Sequence, residues 1–268
     1  RVLSRYLTMH RTTPKRLLEL SKKERKAVED RLSDFIGTLE AEGKAPGYIL
    51  NYVKAVRSFL DFNEVHLVRK FKVRDSGATP TLEEERIPSK DELKSILAGA
   101  SVRGRVVVSF LSFSGLRPEV LGNFRGNEGL RLKDLPEVRA VGKTVAFAKI
   151  PTSVIVRREL SKAGHRYLTF LPAEGCDYMK AYLEARLASG EKLGPDSPVI
   201  APAPGFESSG WRARVANRSF IVTKNVTADV RRAMRPRFRW RPYVLRSYFD
   251  TQMLLAESHG KVTTAYRA

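Results

Sequence analysis

Residues 231–246 include seven arginines in sixteen positions and no acid, with Phe238, Trp240 and Tyr243 set among them. A guanidinium is a planar fork that can hold two phosphate oxygens at once, so a stretch of this composition can track a phosphate backbone. The candidate contacts are Arg231, Arg232, Arg235, Arg237, Arg239 and Arg241; the plainer alternative is a solvated basic loop. The whole chain leans the same way, with 49 Lys and Arg against 29 Asp and Glu and a net charge of +20. That excess is more than solubility requires and attracts a polyanion, nucleic acid first. It is also spread, with 17 basic and 10 acidic residues in 1–75 and 32 and 19 in 76–268, so no detachable basic tail explains it. Both halves are expected to touch the partner and to clamp it between them. Ribosomal and chromatin-type proteins and some thermophile surfaces share such a balance, so charge names only the class of partner.

Other chemistries find little support in the residue types. Cys176 is the single cysteine, which excludes a disulfide framework and a cysteine-based zinc cluster. His10, His66 and His259 show no metal-ligand spacing, and neither a metal nor a cofactor is expected. No apolar run approaches the ~20 residues of a membrane span and the chain opens without a signal-peptide pattern, so no membrane partner and a cytoplasmic, nucleoid-associated setting are expected. Because the first residue is Arg1 rather than Met, the chain reads as a piece of a longer protein.

The elements that would position these groups can be read from apolar spacing. A length of 268 residues, 42% apolar and 29% charged, suits two globular domains. Ser21 and Glu24 have the spacing of a capping box, which predicts a helix start. Val28, Leu32, Phe35, Ile36 and Leu39 follow at helical intervals, the glycines at 43 and 47 break the run, and Ile49, Val53, Val56 and Leu60 form a second stripe. Residues 1–73 thus read as a small all-helical DNA-binding domain. The 74–88 stretch, with Asp75, Ser76, Gly77, Pro80 and acids at 83–85, lacks periodicity and reads as a linker. A second domain, 89–268, opens with another capping box at Ser89 and Glu92, then Leu93, Ile96, Leu97 and the apolar run 106–113. Segments 144–148, 154–159 and 166–171 read as strands of one small antiparallel sheet, the last two joined by a polar turn containing Gly164. Val226, Val230 and Met234, then Leu245, Phe249, Met253 and Leu254, return to helical spacing. The predicted fold class is mainly α with a small antiparallel β element, and no internal repeat or low-complexity segment is found.

Three motifs fall in this second domain. Ser114-Gly-Leu-Arg117-Pro-Glu119-Val-Leu121, followed by Leu132-Lys-Asp134-Leu135, resembles the first arginine box of the tyrosine recombinases. Lys162, in the turn before His165-Arg-Tyr-Leu-Thr-Phe-Leu-Pro172, resembles the lysine on that family's β-hairpin. Tyr243-Val-Leu-Arg246 is similar to the second box, usually written His-x-x-Arg, with Tyr243 standing at the histidine position. Order and separation agree, and the helical first half resembles the family's core-binding domain, so the resemblance covers nearly the whole chain. It implies a site-specific integrase acting on a double-stranded DNA attachment site through a 3′-phosphotyrosyl intermediate, assembled as a homo-tetramer in the recombination complex.

In that chemistry Arg117 and Arg246 stabilise the charge that builds on the nonbridging oxygens, and Lys162 delivers a proton to the departing 5′ oxygen. Lys143 and Lys149 are rivals for the last role. Because a phenol accepts a proton poorly, Tyr243 would position the phosphate by hydrogen bonding instead. Integrases of archaeal plasmids and viruses are similar in varying this position. His165 beside the lysine is read as a DNA-backbone contact. Arg117 also admits a structural reading, paired with Glu119 or Asp134, and Tyr243 that of a packed aromatic. In the common bacterial spacing a His or Trp and the nucleophilic tyrosine lie about 23 and 32 residues past the second arginine, whereas Ala268 comes 22 residues after Arg246 and Tyr266 is in register for neither role. A nucleophile beyond Ala268 is therefore expected. A type IB topoisomerase-like enzyme and a DNA-binding protein without catalysis are the alternative functions.

Overall fold

Two stretches share the capping-box spacing and fold differently. At Ser89 the Oγ accepts from the Glu92 N–H at 3.2 Å while the Glu92 carboxylate accepts from the Ser89 N–H at 2.8 Å, opening helix α5 (Lys90–Gly99). Ser21 instead lies inside a helix, buried, its hydroxyl donating to the Leu18 carbonyl at 2.8 Å. The expected start at Ser21 is thus a helix end. Helix α2 (Pro14–Lys23) begins about two turns earlier, with the Thr13 side chain accepting from Arg16 N–H and a proline at its first position. The computed structural model describes residues 2–77, 85–202 and 219–263.

The chain divides into two units, Arg1–Thr81 and Leu82–Ala268. In the first, α1 (Val2–Met9) and α2 join α3 (Arg25–Ala41) and α4 (Pro46–Phe62) around Tyr6, Leu17, Leu32, Phe35, Leu39, Ile49, Val56 and Leu60. The two predicted stripes on α3 and α4 supply most of that core. Val73 is buried in it too, and the Arg74 N–H donates to the Glu40 carboxylate at 2.7 Å, so the packed chain reaches the beginning of the 74–88 stretch.

In the second unit α6 (Val102–Phe113) is the central element. Its Val106, Val107, Val108, Phe110 and Leu111 are buried, and so are Ser109 and Ser112 on the other side. A helix buried on every side must be enclosed by others. Helices α5, α8 (Ala173–Ala188), α9 (Thr223–Met234) and α10 (Tyr243–Ser258) surround it. A single turn, α7 (Pro118–Leu121), follows it in sequence.

The single predicted sheet is two separate hairpins. Strand β1 (Val138–Val141), which alternation did not reveal, pairs with β2 (Thr144–Phe147), and β3 (Thr152–Val156) pairs with β4 (Tyr167–Leu171), both antiparallel. β3 ends at Val156 because residues Arg158–Leu160 coil into a 3-10 turn rather than extending to 159. Thr152, Val154 and Val156 face Leu171, Thr169 and Tyr167 across the second hairpin, and all but Tyr167 are buried. The fold class expected from the sequence, mainly helical with small antiparallel β elements, is the one observed.

Candidate functional site

Helix α6 ends in the sequence Ser114-Gly-Leu-Arg117, and the backbone there turns sharply. Gly115 adopts φ +63°, and a Cβ at that position would stand 2.4 Å from Phe249 Cδ1. Only glycine meets both demands. The Leu116 N–H donates back to the Phe110 carbonyl at 3.1 Å and the Leu116 side chain is fully buried, which fixes where the next residue emerges. That residue, Arg117, is half-buried at the start of α7, in extended backbone conformation, its carbonyl accepting from Val120 N–H at 3.0 Å.

Helix α10 brings the second arginine to the same turn. Phe249 covers Gly115, and three residues earlier Arg246 Nε donates to the Gly115 carbonyl at 2.6 Å, across 131 residues of sequence. This bond uses the inner N–H of the guanidinium and makes no demand on its outer nitrogens. Among the described residues no carboxylate lies within ion-pair distance of either Arg117 or Arg246. Asp134, a possible partner for Arg117 on sequence grounds, is taken instead by Arg157, whose Nε lies 2.9 Å from it. The Tyr243 ring sits 5.9 Å from the Arg246 guanidinium carbon and is 60% exposed, so it is no core aromatic.

The second hairpin is tied to the turn by a reciprocal pair of bonds. Ser114 Oγ donates to the Phe170 carbonyl and Thr169 Oγ1 donates to the Ser114 carbonyl, each at 2.9 Å. Burial pushes the Tyr167 phenol above the ordinary tyrosine range, and the positive charges of Arg246 and Arg117 offset this only in part. Lys162 and His165 lie at the exposed tip of the hairpin, and among the described residues neither makes a hydrogen bond or ion pair. The structure thus gathers Arg117, Arg246 and Tyr243, and links Lys162 to them only through the hairpin root.

The arginine-rich stretch divides by partner. Arg231 and Arg232 end α9; Arg232 pairs with the buried Asp229 at 2.8 Å, an acid also held by Arg103 at 2.8 Å. Arg241 grips the Glu85 carboxylate at 2.8 Å, and Arg237 hydrogen-bonds Ser95. Arg231, Arg235 and Arg239 are exposed. Sequence reasoning overlooked Gly115, Ser114, Thr169 and Tyr167. The alternation of 167, 169 and 171 in a strand held the signal for the last two, since it places them on one face. Tyr266 lies outside the described residues. No described helix is long and apolar enough to cross a membrane, and no described group of His, Cys, Asp and Glu is placed to hold a metal ion.

The fold so described is a helical unit followed by a mainly helical unit with two short hairpins. No model of a known protein family matches the chain, and no curated protein does. Among solved structures it is similar to the XerH site-specific recombinase bound to palindromic difH substrate in a post-cleavage complex, with TM-score 0.51 and 15% identity over 89% of this chain and 65% of that one. XerH in a pre-cleavage complex with difH gives TM-score 0.48 at 15% identity, covering 85% of this chain and 60% of the other. XerA recombinase gives 0.44 at 15% identity, covering 99% and 78%. The chain therefore spans less than two thirds of the length of either XerH structure, and at such identity the likeness speaks for the fold alone.

Proposed function

We propose that this chain belongs to a site-specific DNA recombinase that cuts and rejoins double-stranded DNA through a 3′-phosphotyrosyl intermediate. The observation that carries the reading is the bond from Arg246 Nε to the Gly115 carbonyl, which seats both box arginines on one turn without a carboxylate to neutralise them. Two such cations without a described counter-ion suit an external anion, and a net charge of +20 suits a polyanionic one. In the reaction a tyrosine oxygen attacks the phosphorus, the bond to the 5′ oxygen breaks, and that oxygen takes a proton from Lys162 at the hairpin tip. Arg117 and Arg246 stabilise the charge gathering on the nonbridging oxygens, and Tyr243 orients the phosphate from the exposed start of α10. The energy of the broken bond is kept in the phosphotyrosyl linkage, so rejoining needs no nucleotide cofactor.

The domain reading follows: 1–73 as a core-binding domain, 74–88 as linker and 89–268 as a catalytic domain, with four copies synapsing two duplexes. Tyr243 in place of histidine favours an origin in an archaeal mobile element. Exposed Arg231, Arg235, Arg239 and His165 would contact the DNA backbone, whereas Arg232, Arg237 and Arg241 would divide their charge between DNA and their present partners.

The test is adduct formation on a nicked suicide duplex resolved on a denaturing gel, run on these 268 residues and on the full natural protein. A covalent adduct in the full natural protein that disappears in Arg246→Ala is the expected result. Adduct formation indifferent to both Arg117→Ala and Arg246→Ala would sink the reading. An adduct with the 268 residues alone would move the nucleophile to Tyr266 or another tyrosine of this chain. Synapsis of two duplexes separates a recombinase from a topoisomerase-like enzyme, which acts on one.

A further inference from the structure

Strand β4 carries its odd-numbered side chains toward the interior, and the outermost of them is a tyrosine. Leu171 is fully buried, Thr169 is buried with its hydroxyl on the Ser114 carbonyl, and Tyr167, two residues further toward the open end, is 40% exposed. Successive odd positions share a face, so the face that meets Ser114 at Thr169 continues at Tyr167 toward the neighbouring Gly115-Leu116-Arg117 turn. The same turn holds Arg246 by its Gly115 carbonyl. Tyr167 is the aromatic on which both box arginines act electrostatically. No hydrogen-bond partner for its hydroxyl is found among the described residues. A half-covered phenol that feels two cations nearby and has no internal acceptor is a donor awaiting an anion.

We propose that Tyr167 is a third phosphate-binding residue of this site, donating its phenolic hydrogen bond to a nonbridging oxygen of the phosphate held by Arg117 and Arg246. The proposal rests on reading the arginine turn as a phosphate site. Because burial outweighs the two positive charges, the phenol stays protonated through neutral pH and serves as donor rather than as attacking oxygen. It would also fix the hairpin to the substrate at the root while Lys162 remains free at the tip, so one element would contribute both a stationary donor and a mobile acid.

The probe is inorganic phosphate, titrated calorimetrically at low ionic strength into the 268-residue chain and into Tyr167→Phe, Arg246→Ala and the double variant. Adventitious anion sites on so basic a surface are common to all four proteins and cancel in the cycle. A hydrogen bond to a charged acceptor of this exposure should make Tyr167→Phe weaken phosphate about 5- to 10-fold in the parent and by less than about 2-fold once Arg246 is gone. Loss of the phosphate effect at high pH, as the phenol ionises, should be seen in the parent and not in Tyr167→Phe. Equal weakening in both backgrounds, or none in either while Arg246→Ala still costs affinity, would overturn the assignment of Tyr167 and leave the arginine site standing. Phosphate affinity unchanged in Arg246→Ala would remove the site itself. Tyr167→Leu with a far-ultraviolet spectrum like the parent's is a second variant that must show the same loss.

Discussion

Two sets of arginines in the second unit have opposite environments. Arg157 reaches Asp134 and Glu128 at 2.9 Å each, Arg103 reaches Asp229 at 2.8 Å, and Arg186 reaches Glu191 at 2.5 Å: cations answered by the fold's own acids. Arg117 and Arg246 are also partly covered, yet no described carboxylate answers them, and their local partner is a backbone carbonyl or none. Covering a charge without a counter-ion costs free energy that a buried pair partly recovers. Most covered arginines of the second unit are paired with an acid, and Arg105, whose Nε donates to the Leu97 carbonyl at 3.1 Å, is a further exception; on the proposed reading, the two at the Gly115 turn are left open to a charge from outside.

The comparison can be broken most directly in the full natural protein. Arg117→Ala should lower adduct formation about 100- to 1000-fold, by analogy with removal of one oxyanion-hole donor, with little change in melting temperature. Arg157→Ala should do the reverse. It strands Asp134, which is 3% exposed, and should cost about 3 kcal/mol in urea unfolding, within the range for breaking a buried pair. If Arg117→Ala unfolds the chain and Arg157→Ala does not, the two sets have been assigned the wrong way round.

Gly115→Ala tests the seat rather than the charges. Gly142 shares the positive φ, +61°, but a Cβ there meets open space, whereas at Gly115 it would strike Phe249. Gly142→Ala should cost about 1 kcal/mol and Gly115→Ala about 1–2 kcal/mol more, and a Phe249→Ala background should narrow the gap. Chemical denaturation of the four proteins measures it.

Smaller effects separate the sets by pH and salt. Hydrogen bonds from Arg186 hold Glu191 below the ordinary carboxylate range, and those from Arg86 hold Glu92 there. Carboxyls depressed in the folded state contribute stability that is fully present above the unfolded glutamate value, about 4.3, and lost as pH falls through their lower folded values. Thermal stability should therefore hold from neutral pH down to that value and decline below it, less steeply in Glu191→Gln. Least of all, Arg239→Ala should reduce the slope of log DNA affinity against log salt by about one, and Arg241→Ala, whose charge Glu85 already answers, by less. Equal slopes would mean that pairing on the protein does not govern phosphate contact.

Long-period patterns in the sequence translated well into structure. The stripes on α3 and α4 and the apolar run of α6 are properties of eight or more residues, and packing confirmed what they implied, whereas the capping box that opens α5 rests on four. Ser21 failed because a hydroxyl can bond a carbonyl inside a helix as readily as it caps an amide, and four residues do not say which. The β1–β2 hairpin escaped notice because three of the four residues of β1 are exposed and lack apolar alternation. Arg117 and Arg246 were legible by type and motif, but the bond that joins them runs to a backbone carbonyl, which no side-chain pattern encodes. Tyr167 was visible only once the strand's inward face was known.

The 131 residues between Gly115 and Arg246 also set when the site can exist. Closing a loop of that length costs about 4 kcal/mol in chain entropy by the logarithmic rule, repaid only when α10 docks on α6. During synthesis every element of the second unit up to α9 has left the ribosome before Arg246 does, so the arginine turn spends that interval with one cation instead of two. A growing chain can collapse while the arginine turn is still half built. On the proposed reading, the capacity to hold a phosphate arises only once α10 has docked and Arg246 has reached Gly115.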